Sequence, residues 1–498
     1  MRGLWLIFLA LLSYASTLHL AISASPSKLN PLIATDSASG EIAGWIFNGL
    51  FKYDANATIV GDLARKWRFL DERRLWVELR DNVSWHDGEP FEADDVKFTF
   101  ELITSSKVVT PYASEFRYVQ DVDIIDPHHL IITYKRPYFK ALQTWMLGIV
   151  PRHLLSKEQN IMTSSFNQRP VGTGPYKLEK FEVSKDIELF ANERYFLHPP
   201  RIPKIVYHFL PDPSTQFLML KQKKLDVGSL TPLQLERQID EDFKAFYEIY
   251  EMPSHGYTYL GFNLKNPKFQ DRRVREALNL AVDRQEIIDI LFFSHASVCT
   301  GPFMPGTFAY DPTVQAPKRD LARARGLLKE AGYDQEHPLE FEIATNSNNT
   351  TRLYAAQIIQ QQLAQIGVKV RIRAMEWQAF LNTVVMPRRF ETVLLGWGLG
   401  LTPDAYAIWH SEGDRPGGFN FIGYKNPEVD RLIKEAETTI DHERLARLYK
   451  KIFRLIVQDI PYLFLYIPNS ITAVNKAIKN VEPSIVGVMH NEIEWIKP

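Results

Sequence analysis

Cysteine is almost absent from this chain of 498 residues, in which Cys299 is the only one. An intramolecular disulfide is therefore excluded. No cysteine ends the apolar N-terminal segment, so the sequence offers no acylation site there for a lipid tether. Metal sites built from several thiolates are excluded as well.

Long apolar runs are scarce too. The N-terminal run Leu4–Leu12 holds about nine residues, whereas a membrane-spanning helix needs roughly twenty. Arg2 precedes this run and the small residues Ser13 and Ala15 follow it, which is the pattern of a cleavable secretion signal. The sequence predicts a signal peptide at residues 1–15, with a buried N-terminal helix as the alternative. A secreted chain without a tether is expected in a periplasm.

An excess of charge of either sign is also missing. Lys and Arg number 58 and Asp and Glu 59, so the formal net charge is −1. This balance predicts no nucleic-acid partner and no attraction to an anionic membrane surface. Apolar residues make up 45% of the chain, enough for well-packed cores. At this length two or three lobes are expected rather than a single core.

Motifs of the common enzyme classes are missing. The chain has no G-x-S-x-G elbow, no phosphate-binding P-loop and no G-x-G-x-x-G after a strand, and GWGLG at 396–400 lacks dinucleotide spacing. His86 could act as a general base and Asp87 as the carboxylate that orients it. The favoured interpretation is structural, a turn packed by Trp85 and Phe91. The sequence predicts no enzyme, no cofactor and no metal site; a catalytic triad assembled from distant residues stays open.

Hydrophobic periodicity predicts two kinds of region. In the first half, a helix fits 39–50, capped by Ser37 or Ser39, and two strands meet at a charged turn within 66–80. After Gly256 helices alternate with strands, as in the helix 352–366 that stops before Gly367. This alternation indicates an α/β lobe with a largely parallel sheet, and a lobe boundary near residue 250.

Four segments, in order along the chain, resemble the periplasmic dipeptide- and oligopeptide-binding proteins of ABC importers, the extracellular solute-binding protein family 5. The resemblance covers nearly everything after the predicted signal. The segments are LRDNVSWHDGEPFEADDVKFTFE at 79–101, PVGTGPYKLEKFE at 170–182, YLGFNLKNPKFQDRRVREALNLAVDRQEII at 259–288 and GYKNPEVDRLIKEA at 423–436.

The resemblance implies an α/β fold of the two-lobed periplasmic binding protein kind, type II-like with an extra inserted subdomain. Its ligand cleft is expected between lobes that are joined by a hinge. Lobe I is expected at 16–250, with the inserted subdomain at about 51–168, and lobe II at 251–469. Residues 470–498 are expected to return to lobe I, because the last strand-like segments have no helix of their own.

The chain departs from the family at one ligand-binding motif. Peptide receptors of this family use Trp-x-x-Asp, whose carboxylate binds the terminal ammonium of the ligand. Here Trp397 is followed three residues later by Gly400, and the next acid is Asp404. A buried ammonium without a counter-charge is costly. Either Asp404 or another acid takes the role, or the ligand lacks a free N-terminus, which is slightly favoured.

Further candidate ligand-binding residues lie in or beside predicted loops. The three residues before the first helix can meet a ligand backbone or simply cap the helix. The aromatic ones can flank ligand side chains or pack in the core, and the arginine can bind a carboxylate or stay solvated. These candidates are Ser37, Ala38, Ser39, Tyr112, His255, Tyr257, Trp377, Trp397, Trp409 and Arg415.

The resemblance implies a non-catalytic monomer that captures peptides or peptide-like solutes and delivers them to an inner-membrane ABC permease. A receptor of the same fold for a metal chelate, heme, a sugar or an opine-like compound is the alternative. A hydrolytic enzyme is the third class, since a fold does not determine an activity.

Overall fold

A computed structural model describes residues 17–182, 184–347, 349–415 and 418–498. The predicted signal peptide at 1–15 lies outside them. No helix within these ranges combines the length and the apolar character needed to cross a membrane. The chain divides into two compact units: unit 1 comprises Met1–Glu251 and Ile471–Pro498, and unit 2 comprises Met252–Ser470.

Unit 1 is built around short strands. They are β1 (Thr17–Ile22), β2 (Phe51–Tyr53), β3 (Ile59–Gly61), β4 (Ala64–Asp71), β5 (Arg74–Leu79), β6 (Val119–Asp126), β7 (His129–Tyr134), β8 (Tyr176–Phe181), β9 (Asp186–Ala191), β10 (Lys204–Phe209), β11 (Val227–Ser229) and β12 (Tyr247–Pro253), the last of which runs into unit 2.

These strands form separate sheets. One has the order β1-β10-β9-β8, with β1 parallel to β10 and the other neighbours antiparallel. A second, antiparallel sheet has the order β4-β5-β7-β6, and β2 pairs with β3. The two strands predicted within 66–80 are confirmed as β4 and β5.

Helices in unit 1 are mostly short. The α-helices are α1 (Ser37–Ile46), α2 (Ala93–Thr104), α3 (Arg152–Leu155), α4 (Pro213–Lys221), α5 (Pro232–Arg237) and α6 (Glu241–Phe246). Single 3₁₀ turns lie at Pro111–Phe116, Gln143–Met146, Ile161–Thr163, Ser165–Asn167 and Glu492–Glu494.

The start of α1 differs from the prediction. Asp36 is the N-cap residue, because its carboxylate accepts a hydrogen bond of 2.8 Å from the Ser39 amide. The predicted caps Ser37 and Ser39 are therefore wrong, since both lie inside the helix. The helix also ends at Ile46, earlier than the apolar pattern predicts, because the backbone turns extended at Phe47.

Two of the segments that resemble the family meet at the end of α1. The Gly174 amide donates to the Ile46 carbonyl at 2.8 Å, and a Cβ added at Gly172 would lie 1.8 Å from that carbonyl oxygen. The His86 ring bonds the same loop, with Nε2 donating to the Gly174 carbonyl at 3.0 Å and Nδ1 accepting from the Gly172 amide at 3.3 Å. Burial lowers the pKa of His86 to about 4, so this ring is neutral and structural.

Unit 2 alternates longer helices with strands. The strands are β13 (Gly256–Phe262), β14 (Ala296–Val298), β15 (Glu340–Asn346), β16 (Lys369–Met375), β17 (Thr392–Gly398) and β18 (Tyr462–Asn475), whose last residues belong to unit 1. The helices are α7 (Pro267–Gln270), α8 (Arg272–Ala281), α9 (Arg284–Phe292), α10 (Leu321–Glu330), α11 (Thr350–Ala364), α12 (Trp377–Phe380), which continues as a π-helix at Leu381–Val385, α13 (Tyr406–Trp409), α14 (Pro427–Glu437) and α15 (His442–Asp459), with a 3₁₀ turn at Ser411–Gly413.

The sheet of unit 2 is mixed, with the order β18-β13-β17-β15-β16 and β14 against β18. β15 is parallel to both β16 and β17, while β13 is antiparallel to both of its neighbours. The prediction of a largely parallel sheet is therefore wrong for half of the strand pairs in this order. Local periodicity detects strands, but their direction depends on which strand each one pairs with after the chain has crossed over.

Helix ends in unit 2 agree with the sequence signals. Asp271 caps α8 by accepting from the Arg273 amide at 2.8 Å. Gly332 and Gly367, which follow α10 and α11, have φ values of +90° and +81°, a backbone conformation that favours glycine. The apolar faces of these helices pack into one core, which includes Leu278, Ile359, Leu363 and Leu463.

In unit 1 the end of the chain returns to earlier strands. The last part of β18 pairs antiparallel with β11, with Val474 opposite Val227. The Asn475 side chain donates to Asp226 at 2.9 Å, and Lys497 donates to the same carboxylate at 2.7 Å. The strand-like segment expected at the end of the chain is the last part of β18, up to Asn475. Beyond Asn475 the described chain forms isolated bridges and a 3₁₀ turn.

Candidate functional site

A groove of about 750 Å³ opens on unit 1, a volume in the range of ligand sites in proteins. Its walls come from the end of β1, the first turns of α1, the start of α4, β11 with the residues after it, and a loop near the C-terminus. The lining residues are Leu20–Ser23, Ser37, Ala38, Glu41, Pro213, Gln216, Val227–Thr231, Thr472 and Val486–His490.

The structure places two of the three predicted residues of the first helix on this groove. Ser37 is exposed and Ala38 lies beside it on the wall. Ser39 is fully buried instead, and its hydroxyl donates to Asp36 at 2.7 Å and accepts from the Ser27 amide at 2.9 Å. Through these two hydrogen bonds the Ser39 hydroxyl orders the loop before α1.

Glu41 is a residue of this wall that the sequence did not single out. Its side chain is exposed and lies near the buried Tyr207 hydroxyl, which accepts a hydrogen bond of 2.8 Å from the Trp45 indole N–H. Partial desolvation of the carboxylate raises the pKa of Glu41, while the nearby Tyr207 hydroxyl acts to lower it. The only sequence signal was its place one turn into a predicted helix, and nothing local shows that this turn faces a groove.

In unit 2 the predicted Trp397 belongs to an aromatic cluster. Its ring is stacked with Phe421 at a centroid distance of 5.6 Å and with Tyr259 at 6.1 Å, and its indole N–H donates to Tyr462 at 3.4 Å. Phe419 packs edge-on at 5.8 Å and is 42% exposed. Trp397 itself is half-buried, so the cluster stabilises unit 2 and leaves part of the indole accessible.

Gly400, where the family motif has its acid, is exposed and has room for a side chain. A Cβ there would meet only the Thr402 carbonyl, at 3.9 Å. Asp404 accepts a hydrogen bond of 2.8 Å from the Tyr406 amide and so shapes the start of α13.

Arg352, in the first turn of α11, is a second residue that sequence reasoning missed. One of its nitrogens, Nη1, donates to Asn346 Oδ1 at 2.7 Å, while Nε is buried without a hydrogen-bond partner. A Cβ at Gly396 would lie 3.2 Å from Nη2, so the guanidinium packs beside the strand that carries Trp397.

No carboxylate in the described part of the chain forms an ion pair with Arg352. Burial lowers the pKa of this guanidinium, and the nearby groups that act to raise it are the phenols of Tyr466 and Tyr259. A buried cation without an acid is unfavourable unless another anion neutralises it. The arrangement is suited to a ligand carboxylate, which guanidinium binds with two parallel hydrogen bonds.

Two other predicted aromatic residues are core residues of unit 2. Tyr257 is 2% exposed and its hydroxyl has no partner among the described residues, and burial raises its pKa well above the usual range. Trp409 is 1% exposed and packs against Tyr462 at 4.9 Å and Tyr424 at 5.8 Å.

The remaining candidates lie in both units. In unit 1, the Tyr112 hydroxyl donates to the Ala34 carbonyl at 2.8 Å, close to the loop before α1. In unit 2, the His255 carbonyl accepts from the Leu399 amide at 2.7 Å. Trp377 packs on Phe380 at 6.3 Å, and Arg415 is exposed.

The fold is that of a two-domain solute-binding protein. The oligopeptide-binding protein AppA from Bacillus subtilis, solved with a nonapeptide, matches with a TM-score of 0.84 and 27% identity over 97% of this chain and 99% of that one. NikZ from Campylobacter jejuni, solved with Ni(L-His), matches with a TM-score of 0.85 and 31% identity over 97% of this chain and 100% of that one.

The sequence defines the family directly. Residues 58–418 match the pattern of the bacterial extracellular solute-binding proteins, family 5 Middle. Among curated proteins, AppA of Bacillus subtilis is 28% identical over 94% of this chain and 89% of its own length. The glutathione-binding protein GsiB of Salmonella typhimurium is 27% identical over 93% and 91%. This chain belongs to the family 5 solute-binding proteins, which confirms the predicted resemblance.

Proposed function

We propose that this protein is a peptide receptor of an ABC importer, which captures peptides or peptide-like solutes and delivers them to an inner-membrane permease. In this proposal it is exported through the signal peptide at 1–15, works in the periplasm as a monomer and catalyses no reaction. The named relatives are binding proteins, and the oligopeptide-binding protein AppA and the glutathione-binding protein GsiB both bind molecules with peptide bonds.

The observation that carries this proposal is Arg352. A half-buried guanidinium with no ion pair to a carboxylate among the described residues is suited to a ligand that has a carboxylate. Every peptide with a free C-terminus has that carboxylate, whereas a neutral sugar has none. Considered by itself, the groove of unit 1 has strand edges and hydroxyl groups that suit a peptide backbone.

The test is mass spectrometry of ligand released from the purified, denatured protein, followed by thermal unfolding with a synthetic mixture of random tripeptides to pentapeptides. A ligand that binds only the native state stabilises it, by about 2.7 kcal/mol at a free-ligand concentration of a hundred times its Kd. The unfolding temperature therefore rises. Retained peptides and a higher unfolding temperature are expected. If no peptide is retained and none shifts the transition, the peptide proposal is wrong.

A second candidate, a receptor for a metal–amino acid chelate, is favoured by the 31% identity to NikZ, which was solved with Ni(L-His). Histidine bound to nickel also has a carboxylate that Arg352 can bind. The same thermal assay with nickel and histidine, each alone and both together, separates the candidates. A shift that needs both components, with none from peptides, establishes the chelate instead.

A further inference from the structure

Two histidines and an aspartate lie on one face of the sheet β1-β10-β9-β8 in unit 1. His208 on β10 stands directly opposite Asp186 on β9, and His19 lies on β1, opposite Val206. The Asp186 carboxylate accepts a hydrogen bond of 3.0 Å from His208 Nδ1, and His208 Nε2 lies 3.1 Å from His19 Nδ1. One chain of side-chain hydrogen bonds thus joins three adjacent strands.

The two imidazole rings share a plane. Their planes are inclined by 5°, and the centroid distance of 5.4 Å exceeds the nitrogen–nitrogen distance by about one ring diameter, so the rings meet edge to edge. The facing nitrogens therefore hold one hydrogen between them. Because Asp186 takes the hydrogen on His208 Nδ1, the pair keeps this bond in two states. It is neutral when His19 is the donor, and it carries one positive charge when His208 is the donor.

A second positive charge removes this contact. When both imidazoles are charged, each of the facing nitrogens carries a hydrogen, so neither can accept, and two cationic rings oppose each other across 3.1 Å. The His208 side chain is only 23% exposed, so water screens this repulsion incompletely. Such a pair titrates as one unit, and histidine is the side chain that gains its charge between about pH 8 and 5.

The charged groups around His19 come from neighbouring strands and from the C-terminal segment. Burial lowers the pKa of His19; Asp226, which precedes β11, acts to raise it, while His208, Lys497 and Lys204 act to lower it. Lys204 on β10 is itself paired with Glu188 on β9. Burial therefore resists the charge that acidification would add to His19.

His19 is also joined to two walls of the unit 1 groove. Its amide donates to Asp226 Oδ2 at 2.8 Å, and its carbonyl accepts from the Asp226 amide at 2.8 Å. The residues that follow each of them, Leu20–Ser23 and Val227–Thr231, line the groove. Through its side chain His19 thus connects these walls to β10.

We propose that the His19–His208 pair is a pH-sensitive latch: it holds β1 on β10 while it carries at most one positive charge, and acid that adds the second loosens β1 and the groove wall that β1 forms. This inference goes beyond the proposed function and holds whatever the groove binds. The native state resists the second charge and the unfolded chain does not. The latch is therefore fully stabilising above the ordinary histidine pKa of about 6.5, and its contribution is lost as the pH falls below that value.

The experiment is amide hydrogen exchange of the full chain, read by mass spectrometry at residues 17–22 and 204–209 between about pH 7.5 and 5. After correction for the intrinsic pH dependence of exchange, wild-type protection of these strands is expected to fall about tenfold. His19→Asn keeps a hydrogen-bonding atom near the position of Nδ1 but takes up no proton, so its protection is expected to stay constant. His337→Asn, at a side chain 78% exposed in unit 2, is the matched control and should follow wild type.

Glu492 titrates in the same pH range with the opposite effect on stability, so each profile is read as its difference from wild type. Wild-type protection that does not change with pH overturns the inference, and so does an equal fall in His19→Asn. A second measurement needs no variant at His19: NMR of histidine-labelled wild type, assigned with His208→Gln, is expected to show both rings titrating together in two steps. Independent one-step titrations would overturn the latch. These measurements use no ligand, so the proposed function is tested separately.

Discussion

At the scale of single residues, Gly400 is a position that can accept the acid of the family motif. Its surroundings are open, with the Thr402 carbonyl 3.9 Å from an added Cβ. Gly400→Asp is therefore expected to fold normally and to tighten binding of unmodified peptides about tenfold relative to N-acetylated ones. Calorimetry of both mixtures checks this result, with Gly326→Asp, also in open space, as control. Unchanged discrimination would mean that this loop does not contact the ligand N-terminus.

Arg352 allows a prediction in which affinity and stability change in different directions. Arg352→Gln is expected to weaken binding of peptides with a free C-terminus about ten- to hundredfold, and to leave C-amidated peptides unaffected. The ligand-free variant should be at least as stable as wild type, because the substitution removes a half-buried cation that has no ion pair with an acid among the described residues.

Calorimetry and thermal unfolding of the same samples measure both effects of Arg352→Gln. Arg447→Gln, at a side chain that is 68% exposed, is the matched control. A drop in ligand-free stability with unchanged affinity would assign Arg352 to the structure of unit 2.

At the scale of elements, the junction of α1 with the loop after residue 170 depends on glycine. A methyl group at Gly172 would lie 1.8 Å from the Ile46 carbonyl oxygen, so Gly172→Ala must displace backbone and is expected to cost about 1–3 kcal/mol. Gly44→Ala on the same helix meets nothing within 4 Å and is expected to gain about 0.5–1 kcal/mol. Thermal unfolding of both variants tests the pair, and similar shifts would contradict the close packing.

At the scale of the whole molecule, Glu492 makes stability depend on pH. Burial raises the pKa of Glu492 from 4.5 to about 7, and its Oε2 has no hydrogen-bond partner in the described chain. The native state therefore binds this proton more tightly than the unfolded state, and stability falls as the pH rises from about 4.5 to 7. Glu492→Gln is expected to gain on the order of 2 kcal/mol at pH 8 and nothing at pH 4.5.

The measurement for Glu492 is the unfolding temperature of wild type and Glu492→Gln across this pH range. Glu193→Gln, an exposed glutamate of unit 1, is the control for a change of net charge. A constant difference between Glu492→Gln and wild type at all pH values would show that the carboxyl group does not titrate near neutral pH in the native state.

The sequence by itself determined the family, the mixed α/β class and many element ends. Asp271 caps its helix and Gly367 ends another, because capping and positive φ act within a few residues. Such interactions are short-range, so their residues are adjacent in the sequence and can be read there.

The tertiary structure alone decided strand direction and the electrostatics of the candidate site. Glu41 lies near Tyr207, 166 positions later in the printed sequence, and Arg352 packs against the strand of Gly396. Whether a carboxylate or a guanidinium has a counter-charge depends on which distant segments fold around it, and no local pattern records that. For Tyr257 and Trp409 the sequence suggested ligand contact because the residues are aromatic. The tertiary structure instead buries both of them in the core.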